Sequence, residues 1–197
     1  MGKVDTVAFD KTGTLTYGKL KISDIVSFND DFSAQDILYL TASAESKSEH
    51  PLGKAVYSSA LSSGIKTAET EDFRMMSGKG VSAKIAGKTY YCGNEKYLCQ
   101  YGILLNEKAG EKAEELRKQG KAMIFTASET ECLGLIALSD EIRPQVGKMV
   151  SDLAALHTDT VLLTGDSKNA AGYFADLSGI KNVYAELLPE EKVMQIS

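Results

Sequence analysis

The β-branched and apolar stretch Val4–Phe9, broken only by Asp5, ends abruptly at a second carboxylate, Asp10, and Lys11, Thr12, Gly13 and Thr14 follow at once. A short β-branched and apolar segment bounded in this way reads as a buried strand. The second half of the chain repeats the pattern. Thr160–Leu163 is a short apolar strand that runs into Thr164-Gly165-Asp166. Helices are predicted on either side of it, over Pro144–Leu156 and Ala170–Ser178, followed by a strand at Asn182–Tyr184 and a helix over Glu190–Ile196. Strand then helix, repeated, argues a parallel sheet. Chemistry in such sheets gathers at the carboxyl ends of strands. That rule pairs Asp10 with Thr164 across most of the chain.

The middle of the chain reads differently. Lys19–Phe28 alternates as a strand. Ser33–Ser46 is predicted helical, with Ser33 and Asp36 at capping-box spacing. A second helix runs from Pro51, suited to a first helical position, to Ser63, with Gly64 as its stop. Val81–Gly93 reads as two strands joined at Ala86-Gly87. Helices over Asn94–Gln100 and Asn106–Gln119 precede a hairpin of Ala122–Ala127 and Cys132–Leu138. Hairpins argue an antiparallel α+β insert. The expected division is therefore 1–16 and 137–197 for one α/β domain, with 17–136 inserted into it.

Composition excludes several classes. At 197 residues, 43% hydrophobic and 25% charged, the chain can bury a core without staples. A net charge of −5 leaves no bulk electrostatic footprint for nucleic acid. Three cysteines, Cys92, Cys99 and Cys132, make no Cys-x-x-Cys pair, so neither a disulfide framework nor a zinc knuckle is expected. No apolar run approaches the roughly 18 residues of a spanning helix.

Taken alone, Asp-x-Thr-Gly is a turn signature, because Asp and Thr cap loose backbone N–H groups. The alternative is a nucleophile: a carboxylate can attack phosphorus and form an aspartyl phosphate. Gly13 lets the backbone approach a phosphate closely, and the Thr12 and Thr14 hydroxyls add donors. The stretch Asp10-Lys11-Thr12-Gly13-Thr14-Leu15-Thr16 resembles the phosphorylation loop of P-type ATPases, relatives of the haloacid dehalogenase-like phosphotransferases. The resemblance implies that Asp10 is the phosphorylated residue and that Lys11 and Thr12 belong to the catalytic loop. Many soluble members of the wider family carry a second Asp where this chain has Thr12. Loss of that acid/base group slows proton transfer by roughly 10²- to 10⁴-fold, so a phosphoenzyme would persist, as a pump requires. Thr164-Gly165-Asp166 is similar to the family's segment whose Thr holds the transferred phosphoryl group. Ser167 stands where the family usually has Asn. Asp140-x-x-Arg143-Pro144 is similar to the segment that re-enters the phosphorylation domain, and Lys192 to the lysine that neutralises the aspartyl phosphate. Mg²⁺ is implied at the Asp10 carboxylate and the Thr12 backbone carbonyl.

The insert narrows the resemblance. Glu45 and the Ser48-Glu49-His50-Pro51-Leu52 stretch resemble the nucleotide site of heavy-metal-transporting P-type ATPases. Ser77-Gly78-Lys79-Gly80-Val81 is similar to that family's Gly-x-Gly loop, and Gly93-Asn94 to its last nucleotide-contacting pair. The resemblance implies ATP bound by Glu45, His50, Gly78, Gly80 and Asn94. It implies a haloacid dehalogenase-like parallel-sheet phosphorylation domain, truncated, carrying an inserted α+β nucleotide-binding domain built on an antiparallel sheet. Its partners would be ATP, the actuator domain of the same pump, and a heavy-metal ion carried by a membrane domain, with the chain at the cytosolic face. The first loop leans toward zinc or cadmium exporters over copper exporters. The family's later Gly-Asp-Gly motif, whose Asp helps hold Mg²⁺, is absent, so an excised piece with nucleotide binding and weak or absent phosphorylation is expected. A soluble haloacid dehalogenase-like phosphatase with an inserted cap is the alternative.

Overall fold

A computed structural model of the chain describes residues 4–194. The elements follow in the order β1 (Thr6–Asp10), β2 (Thr16–Ser27), α1 (Ala34–Glu45), α2 (Pro51–Ser62), β3 (Glu71–Met76), β4 (Gly80–Ile85), β5 (Lys88–Gly93) and α3 (Glu95–Gln100). Then come α4 (Glu107–Lys118), β6 (Ala122–Ala127), β7 (Cys132–Ile142), α5 (Val146–Ala155), β8 (Asp159–Leu163), α6 (Lys168–Ser178), β9 (Asn182–Tyr184) and α7 (Pro189–Met194). Gln195 and Ile196, included in the predicted last helix, lie outside the described residues. Among the described residues, no helix is long and apolar enough to cross a membrane.

The chain forms two compact units. One comprises the residues up to Lys19, Arg117–Lys121, and those from Asp140 on; the other comprises Leu20–Leu116 and Ala122–Ser139. The first is an α/β unit. Its parallel sheet has the order β1-β8-β9, with Asp10 in register with Leu163, and Leu163 with Tyr184. Leu15, Val146, Val150, Leu162, Phe174 and Ile180 form its core. The helices start and stop where local chemistry dictates. Ser167 caps α6 through the Ala170 N–H, and Gly179 ends it in a left-handed conformation. Pro144 lies just before α5, which begins at Val146, two residues later than the sequence suggests.

The second unit is built on an antiparallel sheet of order β2-β7-β6-β5-β4-β3. Period-2 alternation sends Ile124 and Ile136 to one face and Phe125 and Leu135 to the other. The first face packs against Ile37, Leu38 and Leu40 of α1 and Val56 and Ala60 of α2. The second packs against Tyr97 and Leu98 of α3 and Ala113 and Leu116 of α4. The Ser33–Asp36 capping box of α1 is present in both directions. One strand was not expected: β3, Glu71–Met76, lies in a stretch to which the sequence reading assigns no element. It is an edge strand with polar or exposed residues at nearly every position, so it lacks the apolar alternation that marks a strand. Tyr90 and Tyr91 point to opposite faces. Tyr90 joins the α1–α2 core, and Tyr91 meets Tyr97 edge-on and Tyr101 at a tilt on the other side. All three cysteines are free; Cys92 and Cys132 are buried, and burial pushes both thiols up, Cys132 to about 12.

Candidate functional site

The α/β unit gathers its charged side chains at the carboxyl end of its sheet. Asp10 closes β1, and the chain then turns back through Lys11–Leu15. Gly13 takes φ +79°, and the Thr16 N–H donates to the Lys11 carbonyl. That turn is pinned from outside. The Thr16 hydroxyl accepts the Gly13 N–H at 3.1 Å and donates to Asp140 Oδ2 at 2.5 Å. Asp140 Oδ1 accepts the Lys19 N–H at 3.1 Å. Arg143 donates from Nε to the Thr16 carbonyl at 3.1 Å and lies over the Tyr17 ring at 4.8 Å. The segment that re-enters the unit is thus the clamp that shapes the Asp10 loop.

Lys192 of α7 donates to Asp10 Oδ1 at 2.5 Å. Asp10 stays 44% exposed in this pair, so its second oxygen remains open to a ligand. Thr164 stands at the end of the neighbouring β8 and is buried. Its hydroxyl accepts the Asp166 N–H at 3.1 Å, which leaves its own proton available for donation. Gly165 lies between them, its Cβ position 3.3 Å from the Leu187 carbonyl, so any side chain there would crowd the following loop. Lys11 and Asp166 are ion-paired with each other rather than with Asp10, and Lys11 also sits over the Phe174 ring. Of the residues expected at this site, Asp10 and Lys192 are paired with each other, and Thr164 stands at the end of the adjoining strand. Lys11 and Asp166 tie two strand ends together. Thr12 has an extended backbone.

Among the described residues, no group of three or more His, Cys, Asp or Glu could hold a metal ion. A magnesium ion needs less than that. It keeps several waters and takes one or two carboxylates together with substrate phosphates. The free Asp10 oxygen fits the carboxylate that such an ion takes.

The antiparallel unit carries a separate cavity of about 360 Å³. Glu45, His50, Gly78, Gly80 and Asn94 all line it, together with Leu52, Met75, Met76, Met123 and Ile124 on its apolar side. Glu45 closes α1 and is only 5% exposed. Burial raises its carboxyl above the ordinary value, and a hydrogen bond from Ser48 works in the opposite direction. Space for this carboxyl exists because Gly53 of α2 has no side chain: a Cβ there would fall 2.2 Å from Glu45 Oε2. His50 caps α2. Its Nδ1 accepts the Leu52 N–H at 3.3 Å, which assigns the imidazole proton to Nε2 and leaves Nε2–H as a donor. Asn94 caps α3 by accepting the Tyr97 N–H at 2.9 Å, and its Nδ2 donates to the Gly78 carbonyl at 3.1 Å.

Gly78 and Gly80 differ in kind. Gly78 takes φ +70° in the turn between β3 and β4, with open space around it. Gly80 faces Gly93 across the β4–β5 pair, and a Cβ on Gly80 would lie 2.4 Å from the Cys92 carbonyl and 2.7 Å from the Tyr97 ring. Its first requirement is therefore packing. Ser48 begins the stretch that the sequence marks, whereas Gly53, Met75 and Met76 were given no role by it. Gly53 follows that stretch directly. The methionines needed β3 to be recognised.

A family model described as haloacid dehalogenase-like hydrolase matches residues 4–196. The copper-exporting P-type ATPase B of Archaeoglobus fulgidus is 38% identical over 193 residues, 98% of this chain and 27% of that protein. A crystal structure of a zinc-transporting PIB-type ATPase in its E2.Pi state superposes with a TM-score of 0.87 at 32% identity, over 99% of this chain and 31% of that one. A structure of the catalytic domain of the CPx-ATPase CopB-B, solved to follow changes on nucleotide binding, gives 0.68 at 27% identity, over 98% of this chain and 65% of that one. The chain spans about a quarter of the length of the curated relatives it matches.

Proposed function

The chain belongs to the haloacid dehalogenase-like hydrolase family, and from that premise we propose that it is the ATP-binding, autophosphorylating part of a heavy-metal cation pump. One observation carries the reading. Asp10 ends a strand of a parallel sheet with one carboxylate oxygen on the Lys192 ammonium at 2.5 Å, the other open, and Thr164 at the end of the adjoining strand. The matches to copper- and zinc-transporting P-type ATPases over nearly the whole chain support it.

The antiparallel unit, as nucleotide-binding domain, holds ATP in the cavity lined by Glu45, His50, Gly78, Gly80 and Asn94. The α/β unit, as phosphorylation domain, receives the γ-phosphoryl group. An Asp10 oxygen attacks the γ-phosphorus, the bond to the bridging oxygen of ADP breaks, and ADP leaves with that electron pair. Lys192 and the Thr164 hydroxyl meet the equatorial oxygens where charge is spread in the transition state. Asp10 and the Thr12 carbonyl would hold Mg²⁺, which supplies charge neutralisation at the transferred phosphate. Lys11 and Asp166, paired to each other, keep the two strand ends in place. Thr12 stands where a second carboxylate would activate water, so the aspartyl phosphate outlasts its formation and can serve transport. In that setting the chain faces the cytosol, and its partners are the pump's actuator domain and a membrane domain that carries the metal ion.

The test is incorporation of phosphate from ATP and Mg²⁺ into Asp10, read by mass spectrometry of the acid-quenched chain, with hydroxylamine release as the control for an acyl phosphate. Incorporation into this chain is expected to be slow and substoichiometric, and Asp10→Asn is expected to abolish it. Steady hydrolysis of p-nitrophenyl phosphate by the unaltered chain, lost in Asp10→Asn and without a trapped adduct, would instead favour a soluble capped phosphatase.

A further inference from the structure

Lys79 stands between Gly78 and Gly80, and the reading above gives its ammonium no task. Four ionisable residues line the cavity: Glu45, Glu49, His50 and Lys79. Lys79 is thus the fixed cation of a lining that also holds two carboxylates, on a chain of net charge −5. Its backbone is held at both ends. The Lys79 N–H donates to the Met76 carbonyl at 3.0 Å, and the Lys79 carbonyl accepts the Asn94 N–H at 2.9 Å. Met76 pairs with Gly80, so the loop that carries Lys79 is a tight hairpin turn and cannot drift. The ammonium itself has no hydrogen-bond or ion-pair partner among the described residues. A half-buried lysine whose backbone is fixed and whose head is unpaired is poised for an anion.

The rest of the lining restricts what that anion can be. Leu52, Met75, Met76, Met123 and Ile124 offer a surface for an apolar ring. One lysine in a lining that also carries the Glu49 carboxylate holds a small free anion weakly, so charge must arrive covalently attached to a group that the apolar side retains. A nucleotide meets both conditions. We propose that Lys79 binds the polyphosphate chain of a nucleotide seated in this cavity, and so makes the cavity prefer nucleoside di- and triphosphates to the nucleoside. This rests on the reading that the cavity takes ATP.

The experiment is calorimetric titration of the full chain with ATP, ADP and adenosine, on the unaltered protein, Lys79→Met and Lys79→Arg, at low and high NaCl. Lys79→Met is expected to weaken ATP and ADP by roughly fivefold to twentyfold, the range of one charge-assisted hydrogen bond partly screened by water. Adenosine affinity should change less than twofold, and Lys79→Arg should recover most of the loss. ATP affinity of the unaltered chain should fall more steeply with salt than that of Lys79→Met. The urea midpoint should not move, because the side chain has no internal partner to lose. ATP binding by the unaltered chain with no change in Lys79→Met, or an equal loss for ATP and adenosine, overturns the assignment of Lys79 alone. Failure of the unaltered chain to bind any of the three overturns the nucleotide reading, and this one with it.

Discussion

Replacing Gly53 with alanine separates the demands of the α2 helix from those of the cavity beneath it. Alanine is the better helix former by about 1 kcal/mol, so on propensity alone Gly53→Ala should stabilise the fold. The structure opposes this. The new Cβ would stand 2.2 Å from Glu45 Oε2, 2.9 Å from Glu45 Cδ and 3.0 Å from Ser48 Oγ. Those atoms end side chains, so the backbone need not move, but the Glu45 carboxyl must retreat by about 1 Å to restore van der Waals separation. Overpacking of this kind costs roughly 1–3 kcal/mol, which cancels or exceeds the helix gain. Net stability in urea is expected to fall by about 0–2 kcal/mol. ATP affinity is expected to fall about tenfold, the worth of a displaced hydrogen bond to a charged group. The decisive comparison is a double-mutant cycle. Glu45→Ala removes the carboxyl, so adding Gly53→Ala to it should cost no further affinity and should now yield the stabilisation expected of a helix alanine. If the two losses of affinity simply add, Gly53 does not act through Glu45, and the account of that side chain's seat is wrong.

Gly80→Ala should lower stability by about 2–3 kcal/mol, because its Cβ meets backbone (the Cys92 carbonyl and Gly93 Cα) rather than a movable side chain; an unchanged urea midpoint refutes the close approach of β4 to β5. Glu45 also sets a pH dependence. Its carboxyl is raised above 4.5, chiefly by burial, so the folded chain holds a proton that the unfolded chain releases. Its contribution to stability is therefore most favourable below 4.5 and declines as pH rises through the folded value. Glu45→Gln should flatten that decline in urea midpoints measured from pH 4.5 to 7.5, and an unaltered slope would assign it to other groups. Asp140→Ala removes the acceptor of the Thr16 hydroxyl and the Lys19 N–H, and should cost about 1–3 kcal/mol together with phosphate incorporation at Asp10; full incorporation would show that the loop holds its shape without the clamp.

Much of this architecture is legible in residue chemistry that acts locally. Ser33 and Asp36 cap α1 as their spacing demands, and Pro51 and Gly64 bracket α2. The strand ends at Asp10 and Leu163 stand side by side because parallel sheets align their carboxyl ends. What escaped was set by packing. Strand β3 pairs at an edge, where half of its backbone needs no partner and its side chains need not alternate. The pairing of Lys11 with Asp166 could not be read either, since any nearby carboxylate would have served. The glycines make the sharper point. In a Gly-x-Gly loop both positions look alike, and ligand approach is the usual reading for both. Here Gly78 is needed for its turn and Gly80 for its contact with Gly93 and Tyr97. Loss of binding in Gly80→Ala would thus follow from a distorted sheet alone, even if no ligand touched that residue. The residues that can report on a ligand are those that line the cavity and whose side chains have no structural partner, and Lys79 is the sharpest of these. Glu45 and His50 each carry a second duty, in the seat made by Gly53 and in the α2 cap, so their variants need the controls that Lys79→Met does not.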